Sequence, residues 1–313
     1  MQGIASLTVT EPTFSIDVSF NDFNLNHTLG SAQSFTWTKI DSTEFPTWHG
    51  AINGKFVMAL QQPTSVNFYT EVSKADIVKY FSFDDGKFKF SDVMKSLVIE
   101  SEHDEVLLAA LEAFPGLRIL RQAPWETIAS FICSQNSNVA MIRERVKLLC
   151  EKFSGVNVAP SHGNYEHLVF PSPQQIAFAS LEDLLACKMG YRAAYLKQSA
   201  ELIASGQFDL TKLKKMNYSD SRNYLLSLPG VGPKVADCIC LFSLGHTNAF
   251  PIDTHVFQIL NDFYNSELRN LQGDKRNLSY DDLALFSNKK FGQYCGYAQQ
   301  YLFHLHRVAR YKL

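Results

Sequence analysis

The sequence predicts an α+β fold: an N-terminal antiparallel β-sheet unit followed by a larger, all-helical unit. Three observations predict it. Asn53-Gly54 separates Ala51-Ile52 from Phe56-Val57-Met58, a strong two-residue hairpin signal. The apolar period changes from about two to about 3.6 near residue 74. From Pro124 onward nearly every apolar stripe has helical spacing. At about 150 residues per domain, 313 residues suit two units, divided here as 1–119 and 120–313.

In the first unit, Phe35 and Trp37 alternate with polar residues and read as strand, and Val66, Phe68 and Tyr69 mark a further strand. Val106, Leu107, Ala110, Leu111 and Phe114 form a helical stripe that Pro115-Gly116 stops. In the second unit, Pro124 opens a helix through Ile128 and Ile132, and another carries Val139, Ile142, Val146 and Leu149. Residues 154–173, rich in Pro, Gly, Ser and Asn, read as a loop. Ser172-Pro173 is an N-cap with a first-turn proline. Later helices span roughly 191–205, 219–228, 234–244, 253–264, 281–290 and 296–311. There is no repeat of 20–50 residues and no low-complexity tract.

Composition excludes several classes. Charged residues are 19% and hydrophobic residues 46%, a globular balance. No apolar run approaches the ~18 residues of a membrane span. The first basic residue is Lys39 and the first arginine Arg118, so neither a secretory signal nor an Arg-rich transit peptide is expected. Six cysteines scattered through the chain suit reduced thiols inside a cell. No Cys/His pairs have zinc-ligand spacing. The net charge of −2 does not argue for nucleic acid, but its distribution does. Residues 71–112 carry ten acids and five lysines; residues 186–234 carry eight bases and three acids; residues 289–313 carry five bases and no acid. An anionic partner would meet the second unit.

The chemistry-bearing segment is Leu228-Pro229-Gly230-Val231-Gly232-Pro233-Lys234-Val235-Ala236-Asp237-Cys238, within a predicted hairpin at 225–240. A helix ends, Gly-Val-Gly turns, and a helix starts at Pro233. The two glycines are expected to allow positive φ and a close backbone approach. Free N–H groups at the new helix start make an anion site that fits a phosphate. A plain helix–helix turn needs the same glycines. Lys234 is what the plain turn does not explain: the macrodipole disfavours an ammonium at a helix N-terminus, and a neutral amine is a nucleophile. Cys238 lies at i+4 on the same face, so a thiolate–ammonium pair is one reading and a buried structural thiol the other. Asp253 follows Lys234 by nineteen residues, and Phe250-Pro251-Ile252-Asp253-Thr254-His255-Val256 reads as a helix start with Asp253 at the N-cap. A capping carboxylate is held rigidly and can face a cationic transition state.

This pair of segments resembles the helix-hairpin-helix DNA glycosylase superfamily. Gln33-Ser34-Phe35, Leu120-Arg121-Gln122, Phe131-Ile132-Cys133-Ser134, Asn136, Gly190-Tyr191-Arg192-Ala193 and Gly296-Tyr297-Ala298-Gln299, with Phe303, extend the resemblance to the eukaryotic-type 8-oxoguanine DNA glycosylase/AP lyase. The likeness runs from about residue 25 to the end. It implies a bifunctional enzyme acting on double-stranded DNA that contains 8-oxoguanine. By it, Lys234 attacks C1′ and forms a Schiff base, and Asp253 stabilises the cationic sugar. Gln299 reads the pairing edge of the flipped base, and Phe303 and Cys238 cover its faces. Asn136 fills the gap in the duplex, Tyr191 wedges beside the orphaned base and Arg192 bonds to that base. Gly230, Gly232, Val235 and His255 hold phosphates. The carbonyls of Leu226, Leu228 and Val231 match a hairpin cation site, with no side-chain metal ligand. No cofactor is implied, and with only Cys295 after Asp253 a four-cysteine iron–sulfur cluster cannot form there. A monomer in the nucleus is the implied setting; no mitochondrial targeting segment is written in the N-terminus.

Two departures stand out. The family has a glycine where this chain has Ala32; that residue's carbonyl recognises the N–H that distinguishes 8-oxoguanine from guanine, and the added β-carbon is expected to crowd the site or shift the backbone. Animal members carry an arginine where this chain has Met141, so its demand for cytosine opposite the lesion is expected to be weaker. Two other readings compete: a helix-hairpin-helix glycosylase for another lesion, and a non-catalytic DNA-binding module, which has no use for Lys234 and Asp253 together.

Overall fold

The computed structural model describes residues 11–41, 43–86, 88–159, 165–272 and 277–310. The first ten residues of the sheet unit, 160–164 of the predicted loop and the end of the last predicted helix lie outside these. The first unit runs β1 (Phe14–Asp17), α1 (Leu25–Gly30), β2 (Thr38–Ile40), β3 (Thr47–Ile52), β4 (Lys55–Gln62), β5 (Ser65–Thr70), α2 (Lys74–Tyr80), α3 (Phe90–Glu100) and α4 (Glu105–Ala113). Its sheet is antiparallel with order β1-β5-β4-β3-β2. Asn53 and Gly54 sit at φ 52° and 76°, with Ile52 opposite Lys55, the left-handed pair that a two-residue turn requires.

Helices dominate thereafter: α5 (Pro124–Cys133), α6 (Val139–Phe153), a β6–β7 ribbon (Val156–Ala159, Tyr165–Leu168), α7 (Pro173–Phe178), α8 (Leu181–Ala186), α9 (Arg192–Ala204), α10 (Leu210–Leu213), α11 (Tyr218–Leu225), α12 (Pro233–Ile239), α13 (Thr254–Phe263), α14 (Asn265–Gln272), α15 (Tyr280–Phe291) and α16 (Cys295–Arg310). A π-turn at Cys240–Leu244 continues α12 and ends at left-handed Gly245. Proline opens α5, α7 and α12, where its missing N–H costs nothing. Ser172 and Gln175 form a reciprocal capping box on α7.

Two expectations are corrected. Phe35 and Trp37 precede β2 rather than forming a strand; both are buried, Phe35 on Phe131 (5.9 Å between centroids) and Trp37 donating to the Tyr80 hydroxyl at 2.8 Å. The predicted loop at 154–173 contains the β6–β7 ribbon. Two four-residue strands do not stand alone. This pair leans on the sheet, where His167 meets the Phe56 ring at 5.2 Å.

Two main apolar cores form. One lies between the sheet, α1 and α2. The larger lies among the helices and takes in α3, α4 and the Ala32–Phe35 segment. Arg118, buried between the two, donates to the carbonyls of Asp22 (2.7 Å) and Ser82 (2.6 Å). Gly116 sits at φ 72°, and a β-carbon there would come within 2.4 Å of the Phe20 carbonyl oxygen and 2.7 Å of the Asn24 nitrogen. Gly116→Ala is therefore expected to cost about 2–4 kcal/mol, read as a lower midpoint in urea unfolding. A loss under about 0.5 kcal/mol, the range of an unremarkable surface change, would show that the junction is not rigid.

Candidate active site and nucleic-acid interface

The hairpin is built by one glycine and opened by the other. Gly230 adopts φ 78°, and a β-carbon there would lie 2.6 Å from Cβ of Tyr195, so the turn packs on α9 only with glycine. Gly232 differs from the expectation: it is extended (φ −92°, ψ −179°) and caps α12, with no atom within 4 Å of where a β-carbon would stand. It leaves room for an incoming backbone instead of making the turn. Pro233 has no N–H, so Lys234 and Val235 supply the open donors of the first turn. Of the three carbonyls of the expected cation site, that of Leu228 already accepts from Val231 N–H at 3.0 Å. Among the described residues no three His, Cys, Asp or Glu side chains are grouped to hold a metal ion.

Lys234 reaches back onto α5. Its Nζ donates to Ser134 Oγ at 3.1 Å and lies 5.0 Å from the centre of the Phe131 ring. Asp253 caps α13 as predicted, with Oδ1 accepting from Val256 N–H at 2.9 Å. Both side chains line a groove of about 1520 Å³ whose walls include Ala32, Asn136, Gly230, Gly232, Val235, His255 and Phe303. Below it lies a cavity of about 40 Å³ bounded by Ala32, Lys234, Cys238, Asp253, Gln299 and Phe303. That is room for water-sized groups, and it shares Ala32, Phe131, Lys234, Asp253 and Phe303 with the groove. Gln299 is buried there, and its Oε1 has no hydrogen-bond partner among the described residues. An orphaned buried acceptor invites a donor from a ligand. Cys238 is 2% exposed, and burial pushes its thiol up to about 12 against the pull of Lys234. That burial is what the structural-thiol reading expects.

Ala32 is both walled and strained. It lies at φ 61°, the conformation that a glycine would adopt without cost. The backbone has not shifted to relieve the alanine, because its neighbours are tied from both sides. From α16, Gln300 donates to Ser31 O at 2.8 Å and Arg307 to Gly30 O. From within the sheet unit, the Gln33 amide donates to Thr28 O (2.9 Å) and Arg118 O (2.8 Å) and accepts from Leu120 N–H (2.8 Å). Helix α16 therefore carries Gln299 and Phe303 and also fixes the loop opposite them.

The outer rim holds the remaining expected residues. Asn136 is left-handed (φ 42°) and donates through Nδ2 to the Tyr191 hydroxyl at 3.2 Å; Tyr191 is 52% exposed. Arg192, the expected contact to the orphaned base, is turned inward in the DNA-free protein. It is buried, lies 4.4 Å from the Tyr191 ring centre, and donates to the carbonyls of Gln135 (2.9 Å), Asn136 (3.2 Å) and Met189 (3.3 Å). Arg145, which the sequence reading missed, does the same work from α6, donating to Ser137 Oγ (2.6 Å), Cys133 O (3.0 Å) and Lys188 O (2.9 Å). Its signal was a charge inside the Ile142–Val146–Leu149 stripe. Gln135 Nε2 ties this loop to Gly230 O at 2.6 Å. His255 is half-buried at the groove mouth, edge-on to Phe303 (5.8 Å) and His306 (5.5 Å). Met141 sits half-buried in the first turn of α6, its N–H held by Asn138 at 2.9 Å.

Two family models match in tandem: 8-oxoguanine DNA glycosylase, N-terminal domain, over residues 15–128, and HhH-GPD superfamily base excision DNA repair protein, over residues 129–278. The chain belongs to the 8-oxoguanine DNA glycosylase family. An N-glycosylase/DNA lyase of Saccharomyces cerevisiae is 32% identical over 74% of this chain; this chain spans 65% of that protein's length. N-glycosylase/DNA lyase OGG1 of Arabidopsis thaliana is 29% identical over 95% of this chain and 80% of its own. Among solved structures, an 8-oxoguanine glycosylase/lyase of Clostridium acetobutylicum, in complex with double-stranded DNA containing cytosine opposite 8-oxoG, superposes with a TM-score of 0.80. It is 26% identical, over 96% of this chain and 100% of its own. Family membership explains where the sheet unit sits, since it delivers the Ala32 loop to the cavity.

Ala32→Gly removes about 1–2 kcal/mol of left-handed strain and adds about 0.4–1 kcal/mol of unfolded-state entropy. The variant is expected to be more stable by roughly 0.5–1 kcal/mol, measured by thermal unfolding. A destabilised variant would mean that the alanine methyl is packed tightly enough to outweigh its conformation.

Proposed function

We propose that this protein is a bifunctional DNA glycosylase/AP lyase that removes 8-oxoguanine from double-stranded DNA. The observation that carries the reading is the convergence of Lys234 and Asp253, from the starts of two separate helices, on a cavity that also holds the unpartnered Gln299 oxygen. DNA would lie across the groove, held by phosphate contacts at Gly230, Gly232, Val235 and His255, and binding is salt-sensitive. The lesion leaves the stack and parts Phe303 from Cys238. Gln299 bonds to the pairing edge, and the Ala32 carbonyl accepts the N–H that guanine lacks. Asn136 and Tyr191 occupy the space left behind, and Arg192 holds their loop.

The Lys234 amine attacks C1′ through its nitrogen lone pair as the N-glycosidic bond breaks; the base leaves with that bond's electron pair and takes a proton from water. The proton lost from nitrogen passes to the Asp253 carboxylate, which also faces the cationic sugar as it forms. Asp253 returns that proton to O4′ as the C1′–O4′ bond breaks, leaving a protonated imine between Lys234 and C1′. Loss of a proton from C2′ to water then expels the 3′ phosphate, leaving a nick. The chemistry calls for no cofactor. The Leu226, Leu228 and Val231 carbonyls are neutral oxygen donors of the kind that hold a hard cation, whose part is to stiffen the turn. The proposed state is a monomer in the nucleus.

The test uses four duplexes with 8-oxoguanine opposite C, A, G or T, under sodium borohydride, with wild type and Lys234→Gln. Wild type should be trapped on all four, with a shallow preference for C because Met141 offers no hydrogen bond to the partner base, and the variant on none. Trapping of only an abasic duplex would move the substrate to another lesion. Trapping of neither would leave a DNA-binding module.

A further inference from the structure

Asp237 is buried at 0% exposure in the middle of α12, and nothing in the chemistry above uses it. An apolar residue would pack α12 against α11 at lower cost, since an ionised carboxylate in the interior needs every oxygen satisfied. Asp237 has that satisfaction. It accepts from Tyr218 Oη at 2.8 Å and Arg222 Nε at 3.1 Å, both on α11, and from Tyr280 Oη at 2.7 Å. Arg222 is held in turn by Asp281 at 2.6 Å. Tyr280 is the first residue of α15 and lines the groove. Having given its one proton to Asp237, its oxygen accepts the backbone N–H of Ile252 at 3.2 Å. Burial beside Asp237 pushes the phenol well above its ordinary value, so it keeps that proton. Ile252 is the residue before Asp253, in a stretch without regular secondary structure that begins after the π-turn.

We propose that Asp237 and Tyr280 are positioning residues for the reaction: the buried carboxylate orients the Tyr280 hydroxyl, and the hydroxyl holds the Ile252 N–H and so sets where the Asp253 carboxylate meets the sugar. The helix that carries the nucleophile thereby gauges the place of the acid, through a carboxylate, a phenol and one amide. The inference rests on the glycosylase/lyase reading above and adds the two residues that register its two reacting groups.

The decisive variant is Tyr280→Phe, which keeps the ring and removes only the hydroxyl. Three quantities are measured: single-turnover base excision on an 8-oxoguanine·C duplex at saturating enzyme, affinity for a duplex with a tetrahydrofuran abasic analogue, and thermal midpoint. Excision should slow about 10–100-fold, the scale of a misplaced catalytic group, with affinity unchanged within about twofold. In an Asp253→Asn background, Tyr280→Phe should slow excision no further, because its effect passes through Asp253. Excision within twofold of wild type, or a further loss in the Asp253→Asn background equal to that in wild type, overturns the proposal. A parallel loss of affinity and excision also overturns it, since that marks a merely structural residue. Asp237→Asn, which offers donors where three donors point, should lower excision in the same direction if it folds. Should wild type leave 8-oxoguanine in place yet trap an abasic duplex with borohydride, the lesion reading fails, and trapping rate becomes the readout: slower trapping by Tyr280→Phe supports the relay, unchanged trapping overturns it. Wild type trapping neither duplex overturns both.

Discussion

The site depends on burying α12 on all sides but one. Val235 through Ile239 lie in the helical core, and the Gly232–Val235 end lines the groove. A seven-residue helix gains too few of its own hydrogen bonds to persist alone, so its stability comes from what surrounds it. That requirement fixes the turn, because Gly230 must lie against Tyr195 with no room for a β-carbon. It also fixes the amine, which leaves the buried helix where Ser134 and Phe131 on α5 meet it. And it makes Asp237 costly unless three donors satisfy it, which draws α11 and α15 onto the same helix.

A second organiser is α16. One face carries Gln299 and Phe303 into the cavity, while Gln300 and Arg307 grip the Gly30–Ser31 carbonyls of the sheet unit. The loop so held keeps Ala32 left-handed. The first unit is thus attached to α16 beside the residue it places in the cavity wall. The small cavity of about 40 Å³ sits in the same packing.

What the sequence made legible was local. Asn53-Gly54 names its own turn because both residues accept positive φ. Asp253 names its own cap because a helical stripe starts just after it. Lys234 was conspicuous because a helix N-terminus is a poor place for an ammonium. What it hid depends on partners far along the chain. Gly232 and Gly230 look alike in sequence, but only Gly230 has Tyr195 against it. Arg192 gives no hint in sequence that it also ties down the carbonyls of residues 135 and 136. The β6–β7 ribbon needs the sheet surface near Phe56 to exist. Asp237 and Tyr280, 43 residues apart, carry no signal until the fold sets their oxygens 2.7 Å from each other.

The central claim is that one amine, placed by α12, forms the covalent bond to the sugar. The most direct measurement is peptide mapping of the borohydride-reduced cross-link between wild-type protein and an 8-oxoguanine duplex, with the sugar remnant located by mass spectrometry. The remnant is expected on Lys234 alone. A remnant on the N-terminal amine or on another lysine would contradict it.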